Sequence, residues 1–210
     1  MVKSRDRQEE FTAPRGSVVT GMLKFTGGAS ELTLGAAELD DDALYRARFD
    51  GLVPTVTAAG GAVTVRYPRH PHPFPLRRHS GWMTVDARLP WSVEITGGAG
   101  RVTADLAALP LRGMSLTGGA SHVSVALPQP KGTVRVRVSG GASDISLRRP
   151  AGAAARLRVT GGASRLTFDD QYLAAVGGGL TLSDQAYEQA EDRYEIEVVG
   201  GVSAFTVDRP

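Results

Sequence analysis

The sequence predicts an all-β fold, a two-sheeted β-solenoid (β-helix) with about 21 residues per coil and Gly-Gly-Ala corners. Three observations support this prediction. A small residue or Thr, then Gly-Gly, then Ala or Val occurs seven times in 210 residues. The central copies recur every 21 or 22 residues. Alternating apolar and polar residues flank the clear copies, which is typical of half-buried strands.

The coil from Thr133 to Ser164 shows these elements most clearly. Three valines alternate with polar residues over 133–139, and Ile145 and Leu147 alternate with polar residues after the corner. Arg149-Pro150-Ala151-Gly152 then turns the chain back. One coil therefore contains two short strands and two turns.

Stacking the coils on their glycine pairs places the inward side chains in two apolar columns, which form the predicted core. After the corner, the column contains Leu32, Leu34, Val102, Ala104, Val123, Val125, Ile145, Leu147, Leu166, Phe168, Phe205 and Val207. Before the corner, it contains Val93, Ile95, Met114, Leu116, Val136, Val138, Leu157, Val159, Ile196 and Val198.

The glycine pairs are interpreted as structural corners, because Gly adopts positive φ and leaves room for a stacked neighbour. The alternative is a phosphate cradle of backbone amides, but no copy matches a known phosphate-binding fingerprint. The predicted corner residues are Gly27, Gly28, Gly97, Gly98, Gly118, Gly119, Gly140, Gly141, Gly161, Gly162, Gly200 and Gly201.

The amino-acid composition indicates which kinds of protein, partner and chemistry to expect. With 41% hydrophobic and 22% charged residues, the chain is expected to be globular, and a net charge of +2 does not imply a nucleic acid partner. The absence of cysteine excludes thiol chemistry. The N-terminus has no apolar signal-peptide region and no run of about 18 apolar residues occurs, so a cytoplasmic location is predicted.

The predicted organisation is a charged N-terminal tail at 1–15 followed by one solenoid domain at 16–210. A basic loop rich in Pro and His interrupts the repeat at 68–80, and a C-terminal cap is predicted around 184–194. Gly177-Gly178-Gly179 resembles a further, degenerate corner that divides the longest interval.

Outward positions before two corners carry four arginines, Arg135, Arg137, Arg156 and Arg158. Stacking in chain order predicts a compact square of like charges, which favours counter-charge or an anionic partner. Glu195 and Glu197 supply part of that charge if the last coil stacks on Arg156 and Arg158. A simple solvated face is the alternative to a partner site.

The basic loop is a second candidate site for a partner. Its candidate contacts are Arg69, His70, His72, Phe74, Arg77, Arg78 and His79. Prolines favour an extended, protruding backbone there, so a partner-binding loop and an inert insertion both remain open. Metal binding by His70 and His72 is disfavoured because no close third ligand accompanies them.

Other polar patterns favour structural roles. An outward rank of hydroxyls, from Thr33 to Thr206, fits cross-strand contacts. Asp40-Asp41-Asp42 could hold a cation, but a solvated turn is favoured. The outward acids Glu94, Asp105 and Asp144 show no pairing of the kind that carboxylate catalysis requires.

The segments Gly81–Val85, Leu89–Gly100, Thr117–Ser121 and Leu127–Gly132 resemble the toastrack β-solenoid domains of bacterial envelope-stress proteins. That family includes adhesin-like domains and the C-terminal domain of Lia-type regulators. The resemblance spans about residues 20–208 and implies a non-enzymatic sensing, scaffolding or interaction module, often joined to a membrane anchor. Its motifs are structural, so it carries over the fold and no catalytic residue.

The leading function prediction is a non-enzymatic interaction or scaffold module in an envelope-stress or signalling pathway. The alternative is a bactofilin-like self-assembling polymer, because exposed strand edges can stack. A protein partner is predicted, with an anionic membrane surface as a second candidate, and the composition argues against nucleic acid. The expected state is a monomer or small homo-oligomer, without catalytic residues, metal or cofactor.

Overall fold

The computed structural model describes residues 8–68 and 79–210. These residues form strands and no helix, which confirms the all-β class for the described part of the chain. None of them lies in a helix that could span a membrane. The strands are β1 Gln8–Pro14, β2 Gly21–Thr26, β3 Ala29–Ala37, β4 Ala43–Asp50, β5 Thr55–Ala59, β6 Ala62–Arg66, β7 Ser80–Asp86, β8 Trp91–Thr96, β9 Ala99–Asp105, β10 Leu111–Thr117, β11 Ala120–Ala126, β12 Thr133–Ser139, β13 Ile145–Arg148, β14 Ala154–Val159, β15 Ala163–Phe168, β16 Gln171–Val176, β17 Leu180–Ser183, β18 Arg193–Val199 and β19 Phe205–Asp208.

The described strands pair into two mixed sheets. Sheet A has the order β1-β4-β7-β3-β9-β11-β13-β19-β15-β16, and sheet B has the order β17-β14-β18-β12-β10-β8-β2-β6-β5. Strands from the repeats pair in parallel, whereas strands near the ends pair antiparallel. Six glycine pairs each carry the chain from sheet B to sheet A. The seventh, Gly60-Gly61, turns the β5–β6 hairpin within sheet B.

The layers do not stack in chain order. The final repeat, β18 and β19, lies between the repeat of β12 and β13 and the repeat of β14 and β15. Strands β16 and β17 occupy the end of the stack instead. The predicted cap at 184–194 is therefore not the last layer, because it leads from edge strand β17 into interior strand β18. At the opposite end, part of the predicted N-terminal tail forms β1, the edge strand of sheet A.

The core lies between the two sheets. Every residue of the two predicted apolar columns is buried, so this part of the sequence prediction is confirmed. The buried side chains of both sheets belong to one contiguous cluster. Trp91 is its largest fully buried side chain, and the indole Nε1 donates a hydrogen bond to the Asp86 carbonyl oxygen at 2.9 Å.

The two glycines of each corner have different surroundings. A Cβ on Gly140, where φ is +108°, would lie 2.8 Å from the Gly118 carbonyl oxygen. A Cβ on Gly161 would lie 2.0 Å from the Gly200 carbonyl oxygen. These contacts leave no space for a side chain, because the first glycines stack directly on one another. A Cβ on Gly141, the second glycine of its pair, would meet nothing within 4 Å.

Candidate functional site

The candidate site lies on the outer face of sheet B, where β12, β18 and β14 are neighbours. Alternation along each strand turns the valines, leucine and isoleucine inward and the charged residues outward. We call the outward set the arginine–glutamate face. It consists of Arg135, Arg137, Arg156, Arg158, Glu195 and Glu197.

The strand register corrects the predicted square of four arginines. Glu195 lies opposite Arg135 on one side and Arg156 on the other. Glu197 lies in the same way between Arg137 and Arg158. Because β18 is inserted between β12 and β14, arginines two strands apart are separated by about 10 Å of sheet. The face is therefore a ladder of alternating charge, which removes the direct repulsion expected from stacking in chain order.

The two glutamates of this ladder bind the arginines of β12. Arg135 Nε donates to Glu195 Oε2 at 3.0 Å, and Arg137 Nη1 donates to Glu197 Oε2 at 2.6 Å. The Arg135 side chain is nevertheless 81% exposed, and that of Arg137 is 54% exposed. Each guanidinium has five N–H donors, so both retain donors that face solvent.

Hydrogen bonding sets the charge state of Glu195. The bond from Arg135 lowers the pKa of this carboxyl below its ordinary value, and burial opposes that effect. A hydrogen bond from Arg156 lowers the pKa further. Glu195 is therefore ionised at neutral pH and fixes two arginine side chains in place.

Arg156 is held more firmly than its neighbours. Its guanidinium lies over the ring of buried Tyr187, 4.2 Å from the centroid. It also contacts Glu195 at 3.4 Å and Glu188 at 3.2 Å. The connection between β17 and β18 thus covers one side of this arginine, and its cation–π contact restricts the side chain.

Arg158 differs from the other three arginines. Its side chain is exposed, and within residues 8–68 and 79–210 it forms no ion pair or hydrogen bond. Its register neighbours are Glu197, which binds Arg137, and Thr181 of edge strand β17. Arg158 is therefore a free cation at one side of the face.

A groove with a volume of about 530 Å³ lies over the arginine–glutamate face and extends across β10 to β8. Its floor over β10 carries only Gly113 and Ser115, opposite Arg135 and Arg137. A Cβ on Gly113 would lie 3.4 Å from the Arg135 carbonyl oxygen, so the backbone tolerates a side chain there. The far wall is formed by β8, where Glu94 binds Lys24 at 3.4 Å. Between β12 and β8, the groove thus has arginines along one side and almost no side chains on its floor.

The second predicted site, the basic loop, falls mostly outside the described residues. Arg69, His70, His72, Phe74, Arg77 and Arg78 lie there, and only His79 is described. Its Nδ1 accepts a hydrogen bond from the Leu52 amide at 3.2 Å, and its ring stacks on Tyr67. His79 therefore anchors the chain next to β7.

Several of the remaining predicted acids have local partners. Asp42 accepts a hydrogen bond from Arg15 Nε at 2.9 Å, and Asp41 binds Arg46 at 3.3 Å, so they do not converge on one point. Asp144 binds His122 at 2.7 Å on the outer face of sheet A. Among the described residues, no group of three His, Asp or Glu side chains could share a metal ion.

Sequence reasoning missed two parts of the site. The groove floor depends on Gly113, and the signal for it is a glycine at an outward strand position outside any corner. The interleaved glutamates depend on the position of β18. No local sequence pattern indicates where β18 lies in the sheet, because Arg135 and its partner Glu195 are 60 residues apart in the chain.

Comparisons with known proteins identify a similar fold. The chain aligns with a solved structure described as a "putative cell adhesion protein from Clostridium sporogenes ATCC 15579", with a TM-score of 0.82 and 15% sequence identity. The alignment covers 98% of this chain and 100% of that chain, so the likeness shows a shared fold. No protein-family model matches the sequence, and no curated protein matches it significantly.

Two other structures, described as putative adhesins from Bacteroides fragilis and Parabacteroides merdae, align much less well. Their TM-scores are 0.31 and 0.30, at 7% and 8% identity. The alignments cover 99% of this chain in both cases, and 98% and 97% of those chains. Scores this low support no structural argument.

Proposed function

We propose that this chain is a non-enzymatic interaction module that binds an acidic, extended protein segment in the groove over the arginine–glutamate face. Its fold would be a two-sheeted β-solenoid of the toastrack kind, and its role would belong to envelope-stress or signalling pathways of bacteria. The fold shared with a described cell adhesion protein supports an interaction role. The predicted cytoplasmic location stays a prediction.

One observation carries the proposal. Exposed arginine donors border a groove whose floor over β10 carries only Gly113 and Ser115. The fold does not require this gap, since a Cβ at Gly113 would make an ordinary contact. A backbone can therefore approach the sheet closely there, while Arg135 and Arg158 remain available for carboxylates.

The alternating charges favour a protein partner over other anions. Glu195 and Glu197 lie among the four arginines, and Glu94 lies across the groove on β8. These carboxylates would repel a uniformly charged polyanion such as nucleic acid. A protein segment with spaced carboxylates can pair with the arginines and avoid the glutamates. An anionic membrane presents a dense charge without that spacing and fits the face less well.

A binding assay tests the proposal with a short fluorescein-labelled peptide of alternating Glu and Ser. Fluorescence anisotropy should show saturable binding at low salt, with a large loss at about 0.5 M salt, where charges are screened within a few ångströms. Arg158→Gln and, separately, Gly113→Gln should weaken binding about tenfold, which corresponds to about 1.4 kcal/mol. The first variant removes the free cation, and the second fills the groove without changing any charge.

Arg148→Gln is the matched control, because Arg148 is an exposed arginine on the outer face of sheet A, with a 66% exposed side chain. It should bind the peptide as the native chain does. An Arg-Ser peptide should not bind, and vesicles of phosphatidylglycerol should bind less well than the acidic peptide. Equal affinities for all variants, or no binding at low salt, would contradict the proposal, and stronger binding to the vesicles would favour a membrane surface.

A further inference from the structure

The end of the stack at β16 and β17 is one continuous segment, which we call the end segment, residues 171–183. Strand β16 is the edge of sheet A and pairs with β15, and β17 is the edge of sheet B and pairs with β14. The corner at 177–179 joins them. Within the described residues, each strand is paired on one side only, so the outer N–H and C=O groups lack strand partners.

The end segment lacks the usual features that block edge-to-edge pairing. Its sequence, Gln-Tyr-Leu-Ala-Ala-Val-Gly-Gly-Gly-Leu-Thr-Leu-Ser, contains no charged residue and no proline. Natural edge strands are commonly protected by charges, proline or a covering element. Tyr172 lies on β16 with 61% of its surface exposed, and tyrosine is enriched in protein interfaces.

The opposite edge of sheet A is protected. Strand β1 carries Glu9, Glu10 and Pro14, and it pairs with β4 on its inner side. A head-to-tail contact would place uncharged β16 against these residues. A contact between two end segments instead brings uncharged strands together in both sheets.

We propose that the end segment is a homodimer interface that joins two copies of this chain end to end. A two-fold axis perpendicular to the sheets pairs β16 with β16 of the second copy, antiparallel, and at the same time pairs β17 with β17. Both sheets then continue across the interface, and the outer backbone groups gain partners. The same rotation places the acidic turn at Asp169-Asp170 beside the uncharged glycine corner of the second copy.

Single cysteines test this arrangement cleanly, because the native chain has no cysteine. Ala174 lies near the middle of β16, and Thr181 lies in β17. Ala174→Cys or Thr181→Cys should form a disulfide-linked dimer under mild oxidation, since residues near a two-fold axis approach within disulfide range. The same substitutions at the other end, Thr12→Cys and Thr57→Cys, should remain monomeric on a non-reducing gel.

Sedimentation velocity gives a second measurement without a new covalent bond. The native chain should sediment as a dimer, at twice the mass of one chain. A variant with Ala174→Lys and Thr181→Lys should sediment as a monomer with an unchanged circular dichroism spectrum, because charges block the edges but not the fold. Thr12→Lys with Thr57→Lys should remain dimeric.

Three outcomes would overturn the dimer. The native chain could stay monomeric at high micromolar concentration, or the lysine pair at the end segment could leave the dimer intact. Filaments that cross-link only when Ala174→Cys and Thr12→Cys are combined would show head-to-tail assembly and support the polymer alternative. These outcomes concern only the oligomeric state, whereas the peptide-binding proposal is decided separately by peptide affinity in the Arg158→Gln and Gly113→Gln variants.

Discussion

Two arginine–carboxylate groups lie in the same half of the molecule and differ in burial. After β13, Arg149 has a fully buried side chain that contacts Asp169 at 2.5 Å and Asp184 at 3.2 Å. On the outer face of sheet B, Arg135 binds Glu195 at 3.0 Å but is 81% exposed. An arginine paired with a carboxylate is therefore buried at the first position and exposed to solvent at the second.

These different surroundings shift the pKa values of the two carboxyl groups in opposite directions. Burial raises the pKa of Asp169, although Arg149 opposes this shift. The hydrogen bond from Arg135 lowers the pKa of Glu195. The buried Arg149 guanidinium joins three connecting segments, whereas the exposed arginines of sheet B keep donors free. This difference supports a structural role for Arg149 and a binding role for the arginine–glutamate face.

Removing the buried arginine should have the largest effect. Arg149→Met removes the buried cation of Asp169 and Asp184, and only the partly exposed Arg209 stays near them, at 3.7 and 3.9 Å. It also removes the hydrogen bond to the Ala153 carbonyl oxygen. Breaking a buried pair typically costs about 3–5 kcal/mol, and the remaining contacts with Arg209 place the expected loss near the lower end of that range. Urea denaturation followed by circular dichroism should therefore show a much lower midpoint.

The adjacent residue provides a matched control for that experiment. Arg148 has a 66% exposed side chain and lies 3.7 Å from Asp208. Arg148→Met should change the free energy of unfolding by less than about 0.5 kcal/mol. Similar losses in both variants would show that burial does not distinguish the two kinds of arginine.

Substitutions at the glycine corners should lower stability by a smaller amount, through steric overlap. Gly140→Ala introduces a Cβ 2.8 Å from the Gly118 carbonyl oxygen at a positive φ, which should cost about 1–3 kcal/mol. Gly141→Ala, one residue later, meets nothing within 4 Å and should cost less than about 0.5 kcal/mol. Equal unfolding midpoints for the two variants would contradict the stacked-corner geometry.

Much of the fold could be predicted from local sequence. Alternation identified inward residues such as Val136 and Leu147, because period-two burial is a property of each strand alone. Six of the seven glycine pairs also mark passages between the sheets, whereas Gly60-Gly61 turns a hairpin within sheet B. The order of the layers could not be predicted from the sequence, because parallel strands with similar alternation can pair in several orders. The structure places β18 between β12 and β14, 60 residues away from β12 in the paired register.

The layer order also determines which features of the candidate site the sequence can predict. Its arginines were visible as outward residues, but their separation by Glu195 and Glu197 depends on the layer order. Arg149 was missed because it follows a strand in an Arg-Pro turn, where alternation gives no information on burial. Its partners Asp169 and Asp184 come from two later turns, so only the tertiary structure brings them together.

The smallest effect concerns the pH dependence of the exposed ladder. The folded pKa of Glu195 lies below its ordinary value of 4.5, so its contribution to stability is fully present above that value. The contribution is lost as the pH falls through the lowered pKa. Asp169 acts in the opposite sense, because its folded pKa lies above 3.8 and its ionisation opposes folding as the pH rises.

Comparing Glu195→Gln with the native chain measures the contribution of the Glu195 carboxylate to stability. The variant should be less stable by about 0.5–1 kcal/mol at pH 7, since Arg135 and Arg156 lose a charged partner at a partly exposed site. The difference should shrink toward zero in urea titrations at progressively lower pH, as the native carboxyl becomes protonated. Glu188→Gln, whose parent side chain is 77% exposed, should show almost no loss. A Glu195→Gln difference that stays constant, or grows, on acidification would show that Arg135 and Arg156 do not hold this carboxylate in its ionised form.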